Sequence, residues 1–329
     1  MTYKLVTVLS FSVILMTVSN AVSQNLQGIT GVRDTSYNSF AAFSKDVKKH
    51  PYIKLVPEFT FNTVYEERDI TYCSIGKREL KLDIFKNISQ SNGLSTAIII
   101  VHGGGWRSGD RSQHYPLAQK LASLGYVCFT PEYRLSTEAL FPAAVYDLKS
   151  SIRWVRANAH KYGVDSKKIV IAGFSAGGEL AAFIGTTSNL LLFEGNCCEK
   201  EVSSHVNAII DIDGTLSFVH PDSGEGDDSK GTSAATYWFG YSKNENPVLW
   251  SLASPLSHVN KNTPPTLFIN SSVDRMHAGQ NNYLTILKEN KISSAVRKFD
   301  AAPHSFVLYH PWFEPTVNYI DSFLNTNLK

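Results

Sequence analysis

The pentapeptide Gly173-Phe174-Ser175-Ala176-Gly177 sits directly between an apolar run at residues 168–172 (KIVIA) and a helix-like stretch that begins at Gly177. A strand that turns at once into a helix needs small residues on both sides of the turn, because side chains there would collide with neighbouring backbone. Such a turn lifts the Ser175 hydroxyl clear of the strand. The N-terminus of the following helix favours negative charge beside it. By chance this pattern recurs roughly 0.1 times in a chain of this length. Its placement therefore carries more weight than its letters.

The chain around this turn alternates. Residues 69–75 and 79–85 read as a hairpin across Gly76-Lys77-Arg78, with Leu80, Leu82 and Ile84 alternating against Lys81 and Asp83. Residues 96–101 (TAIIIV), 126–130 (YVCFT) and 168–172 are apolar runs of the kind buried on both faces of a parallel sheet. Further strands are expected at 207–211, 265–270 and 294–299, and helices at 113–124, 143–160, 281–289 and 314–325. This order predicts an α/β fold: a mostly parallel central sheet with helices on both faces. Residues 190–263 break the rhythm with Gly-, Ser- and Asp-rich pieces around Tyr237, Trp238, Phe239 and Trp250, and read as an insertion of functional loops.

A second motif, His102-Gly103-Gly104-Gly105-Trp106, follows directly on the run TAIIIV. Glycines there let main chain approach a ligand with no Cβ in the way. The N–H groups of Gly104 and Gly105, or of their immediate neighbours, together with that of Ala176, are candidates to receive a developing oxyanion. His102 reads as a residue that stabilises the loop.

A serine nucleophile needs a base, and the base needs an orienting carboxylate. In a strand–turn–helix topology of this kind the chain order is Ser, acid, His. His304, in Ala302-Pro303-His304-Ser305-Phe306 just after the last expected strand, is the candidate base, with His310 next. Asp274, four residues beyond strand 265–270, is the candidate acid; Asp213, in Asp211-Ile212-Asp213-Gly214, is its rival. Arg134 and Asp147 are expected to pair beneath the site.

Composition bounds the remaining classes. The 329 residues are 43% hydrophobic, 18% charged and 12% aromatic, which excludes a disordered chain. A net charge of +2, with no basic cluster denser than Lys45, Lys48 and Lys49, gives no footprint for nucleic acid. Lys4, the apolar residues 5–18 and Ala21-Val22-Ser23 form the three parts of an export signal ending at residue 23, so a secreted or periplasmic product without a membrane anchor is expected. Four cysteines are too few for a disulfide scaffold. Cys73 and Cys128 read as buried apolar residues. Cys197-Cys198 form a loop pair for which a strained vicinal bridge is one option, and no spacing suggests a zinc site.

With these residues in view, the sequence resembles the α/β-hydrolase superfamily, in the HGGG-bearing branch of hormone-sensitive-lipase-like and feruloyl or acetyl-xylan-esterase-like enzymes. The resemblance runs from about Val64 to the C-terminus. It rests on HGGGW at 102–106, Tyr133-Arg134-Leu135 with Phe141-Pro142-Ala143 and Asp147, GFSAGG at 173–178, Asp274, and PHSF at 303–306. One departure stands in the acid loop, where the family's His-Gly-x-x-Asp is replaced by Asn270-Ser271-Ser272-Val273-Asp274.

The resemblance implies an α/β-hydrolase fold and a serine esterase using Ser175, His304 and Asp274, with no metal or organic cofactor. Its expected substrates are acyl groups, acetyl foremost, on plant-type polysaccharides. A feruloyl esterase, a general short-chain carboxylesterase and an inactive carbohydrate-binding relative are the alternatives. The expected organisation is an export segment (1–23), an extension packed on the domain (24–62) and a catalytic domain (63–329) whose insertion (190–263) meets substrate. There, Trp238, Phe239, Trp250 and Trp312 are either a platform for sugar rings or the insertion's own core.

Overall fold

The computed structural model describes residues 23–89, 93–188 and 190–328. Apart from Ser23, the export segment read at 1–23 lies outside the described residues. In chain order the elements are α1 (Ser39–Asp46), β1 (Lys54–Leu55), β2 (Val64–Ile75), β3 (Arg78–Asn87), β4 (Ser95–Val101), α2 (Tyr115–Ser123), β5 (Val127–Pro131), α3 (Ala143–Ala157), α4 (Ala159–Tyr162) and β6 (Val164–Phe174). There follow α5 (Ala176–Thr186), β7 (Ala208–Ile212), α6 (Ala234–Phe239), α7 (Pro247–Leu252), β8 (Thr266–Asn270), α8 (Gln280–Glu289), β9 (Ser294–Lys298), β10 (Tyr309–His310) and α9 (Phe313–Asn327).

Eight strands make one sheet in the order β2-β3-β5-β4-β6-β7-β8-β9. β2, β3 and β5 pair antiparallel; from β5 onward every pairing is parallel. Alternate residues of the central strands feed two separate cores. Ala97, Ile99, Ile169, Ile171 and Ile209 face α3 and α5, while Ile98, Ile100, Val170, Ala172 and Ile210 face α2 and α9. Burial on both faces is why these strands read as unbroken apolar runs and not as alternating ones. The architecture is that of an α/β-hydrolase.

Two helices differ locally from the expectation. The helix expected over 143–160 breaks at Asn158, whose side-chain amide donates to the Trp154 carbonyl at 2.9 Å and stops the ladder before α4 restarts it. The helix expected from 113 starts at Tyr115, after a tight turn of residues 111–114, because Pro116 has no N–H and belongs in a first turn.

Among the described residues, those from Asn25 to Leu55 contact the domain at several points. Asn25 N–H donates to Gly240 O at 2.7 Å, Tyr37 N–H to Ser108 Oγ at 2.9 Å, and β1 pairs antiparallel with β10. Arg33 forms an ion pair with Glu132, a buried carboxylate that also receives Arg78 at 2.8 Å. Arg134 and Asp147 pair in two-pronged fashion, with Nη2–Oδ1 at 2.7 Å and Nε–Oδ2 at 2.9 Å.

The cysteines pair otherwise than expected. Cys73 on β2 is joined to Cys197 of the insertion in a disulfide with Cα atoms 6.5 Å apart, and not left as an apolar filler or replaced by a Cys197–Cys198 bridge. Only the fold brings these two residues together, since 124 positions separate them. Cys128 is free and buried, and Cys198 is free and exposed. Among the described residues, Cys73, Cys197 and Cys198 form one group of three possible metal ligands, two of which the disulfide already uses.

Candidate active site

β6 ends at Phe174 and α5 begins at Ala176, leaving Ser175 alone at the turn with φ 57° and ψ −122°. A non-glycine residue in this region is strained, and surrounding structure must hold it there. Ser175 N–H donates to Ile212 O at 2.9 Å, and Ser175 O accepts from Gly178 and Glu179 at 2.9 and 3.0 Å. The spacing of the two glycines has a steric cause. A Cβ on Gly173 would run into the Gly177 carbonyl, and one on Gly177 into the Val101 carbonyl.

The glycine loop after β4 packs against this turn. Gly104 has φ +127°, a Cβ there would collide with the Ser108 carbonyl, and its own carbonyl accepts from Arg107 and Ser108 at 3.2 and 3.0 Å. Gly103 N–H is held by Gln113 Oε1 at 2.9 Å. Among the described residues, none accepts from the N–H of Gly104, Gly105 or Ala176. Free donors on the loop and at the start of α5 are what an oxyanion requires. His102 is fully buried, stacks on Tyr133 with ring centroids 4.4 Å apart, and has its Nδ1 2.9 Å from Gly103 O. Burial depresses its basicity to about 4, so it is a neutral wedge under the loop.

His304 follows β9 and reaches back over the sheet. Its Nε2 lies 2.8 Å from Ser175 Oγ and its Nδ1 lies 2.6 Å from Asp213 Oδ2. The two loops flanking it are tied together, since Ser272 N–H and Oγ both donate to Ala302 O, at 3.1 and 2.8 Å. His310, the second candidate base, lies on β10 opposite Lys54.

The acid is where the reading from sequence fails. Asp274 is not at the site: its side chain is 84% exposed and pairs with Lys298 at 3.1 Å. Asp213, after β7, takes the position instead, with φ 57° and its N–H on Ile269 O at 3.0 Å. The loop after β8 contributes donors to Asp213 and no acid of its own. Ser271 N–H and Oγ reach Asp213 at 2.7 and 2.6 Å, and His277 Nε2 lies 2.7 Å from Oδ1.

Burial alone would push the Asp213 carboxyl up. Hydrogen bonds from His277 and His304 outweigh it and hold the group at about 2, so it is ionised. No motif in the sequence marks His277. Its only signal is its place in the loop that bears Asp274.

The aromatic residues resolve as well. Trp238, Phe239 and Trp250 are fully buried, with Trp106 stacked on Trp238 at 4.9 Å and 7°. Trp312 is buried against Tyr52 in the other core. Trp238, Phe239 and Trp250 form the core of the insertion and the seat of the HGGGW loop, and none of the four is a platform for sugar rings. Trp106 Nε1 donates to Glu179 at 2.9 Å, which fixes the loop to the first turn of α5.

The BD-FAE family model matches residues 82–284, more than half of the chain. The chain belongs to the BD-FAE family. Among curated proteins it is 30% identical over 202 residues to esterase LipC of Mycobacterium tuberculosis, covering 59% of this chain and 48% of that protein. It is 30% identical over 241 residues to esterase LipQ of the same organism, covering 72% and 54%. The chain thus spans about half the length of these relatives. Among solved structures it is similar to the butyrate-bound esterase Est2 of Thermogutta terrifontis, with a TM-score of 0.64, 25% identity and coverage of 80% of this chain and 94% of that one.

Proposed function

We propose that this BD-FAE protein is a serine carboxylic ester hydrolase working through Ser175, His304 and Asp213. The observation that carries the reading is the unbroken relay from Ser175 Oγ to His304 Nε2 and from His304 Nδ1 to Asp213, laid across the C-terminal ends of β6, β7 and β9. Ser175 Oγ attacks the ester carbonyl carbon while His304 Nε2 takes its proton, and Asp213 steadies the imidazolium so formed. The carbonyl oxygen, now an oxyanion, is met by the N–H groups of Gly104, Gly105 and Ala176. His304 then returns the proton to the leaving alcohol. Water, deprotonated by His304, releases the acid and restores Ser175.

The finer reading is a short acyl group, acetyl foremost, on a plant-type polysaccharide or oligosaccharide. The butyrate-bound Est2 structure supports a short acyl chain. Export supports a polymeric substrate, and rests on the tripartite segment at residues 1–23 and on a disulfide of the kind that persists in oxidising compartments. Among the described residues no helix is long and apolar enough to cross a membrane. Hydrolysis of a chromogenic acetyl ester by the purified protein, abolished in Ser175→Ala, tests the chemistry; equal rates would refute it. Release of acetate against ferulate from acetylated xylan, pectin and arabinoxylan tests the substrate. N-terminal sequencing of the exported protein, expected to begin at Gln24, tests the segment.

A further inference from the structure

Asp213 is shared by two imidazoles. His304 Nδ1 meets Oδ2 at 2.6 Å, and His277 Nε2 meets Oδ1 at 2.7 Å from the opposite side. The carboxylate itself is wholly inaccessible, and His277 is 10% exposed. A buried carboxylate gains most from charge-assisted donors and is free to swing about its own axis unless both oxygens are engaged. Ser271 engages both, through N–H on Oδ1 and Oγ on Oδ2, but Oγ shares its oxygen with His304. On Oδ1, His277 is the side-chain donor, beside the Ser271 N–H, and it holds the carboxylate from the side away from His304.

We infer that His277 is a positioning residue, a second imidazole that locks Asp213 in the orientation from which it holds His304. This rests on the reading of Ser175, His304 and Asp213 as a triad. His277 touches neither the nucleophile nor any reacting atom, and acts through Asp213 alone. The other ionisable groups around the cluster are Asp211 on β7, Glu225 of the insertion paired with Arg275 at 3.5 Å, and Asp274 paired with Lys298. Among these described groups, none occupies Asp213 Oδ1 in place of His277.

The test pairs His277→Met, which keeps bulk and removes the donor, with His277→Gln, which keeps a donor and cannot titrate. On a chromogenic acetyl ester, His277→Met should lower kcat about 10-fold with KM within about 2-fold, and His277→Gln should recover most of it. An Asp213 with one donor fewer is more basic and holds the His304 imidazolium more tightly. The acid limb of kcat/KM in His277→Met should therefore move to higher pH, and return in His277→Gln. A side chain that merely packs would leave that limb in place.

Unchanged kcat and acid limb in His277→Met, beside an inactive Ser175→Ala, would overturn the inference and leave the triad standing. An active Ser175→Ala would overturn the triad, and the inference with it. Should His277→Met fail to fold, His277→Ala takes its place with the same expectations: a kcat about 10-fold lower and an acid limb at higher pH support the role, and both unchanged refute it.

Discussion

His304 Nδ1 lies 2.6 Å from Asp213 Oδ2 across 91 residues of chain, while Asp274, only 30 residues from His304, points into solvent. In a doubly covered parallel sheet, the strand neighbouring the nucleophile's own can present an acid to the same imidazole as the strand beyond it. Here β7 adjoins β6, and Asp213 arrives directly beside Ser175. Asp213→Asn should lower kcat on an acetyl ester by about 10³-fold or more, since it leaves the imidazole without its charged partner. Asp274→Asn should stay within about 2-fold, because it removes only an exposed ion pair. Steady-state kinetics of the two variants side by side check this, and the reverse order would return the acid to Asp274.

What could be read from the sequence was whatever local backbone geometry imposes. The GFSAG turn, the HGGGW loop and the apolar runs are each written in neighbouring residues, so Ser175 and the parallel sheet were legible, and so was a histidine in the last loop. Asp213 and Asp274 both follow strands in short polar turns, and only the depth of each turn tells them apart. Asp213 lies under the Ser271 donors, whereas Asp274 opens a turn facing Lys298. His277 and the Cys73–Cys197 bridge were invisible for a related reason: each is defined by a partner 64 or 124 residues away. The tryptophans were legible as a cluster, but whether they face a cleft or each other is a matter of packing.

Gly104 tests the oxyanion loop without touching the relay. An alanine there meets a φ of +127° and a collision with the Ser108 carbonyl, so the loop must move and carry its N–H groups with it. Gly104→Ala should lower kcat about 10²-fold, the scale of one lost oxyanion donor, with KM changing far less. A variant that folds and retains full kcat would place the oxyanion elsewhere.

The depressed Asp213 carboxyl links the site to stability. A free aspartate titrates near 3.9, and this one is held at about 2, so its ionised form favours the folded state. That contribution is fully present above about pH 4 and is lost as pH falls through about 2. It is on the order of 2 kcal/mol. Urea titrations should show wild type losing stability relative to Asp213→Asn between pH 5 and pH 2. Parallel curves would mean that the two histidines do not stabilise the ionised form.

The Cys73–Cys197 bridge ties the insertion to the antiparallel edge of the sheet, far along the chain from the triad. Closing a loop with a sequence separation of 124 residues removes much conformational freedom from the unfolded chain. Cys73→Ser should therefore lower unfolding free energy by about 2–4 kcal/mol, read from urea denaturation, and reducing agent should do the same to wild type. Cys198 is exposed and free, so Cys198→Ser should leave stability within about 0.5 kcal/mol of wild type. Activity at a temperature well below the transition should survive in both variants, because neither cysteine borders Ser175, His304 or Asp213. Loss of activity in folded Cys73→Ser would instead make the bridge part of what shapes the site.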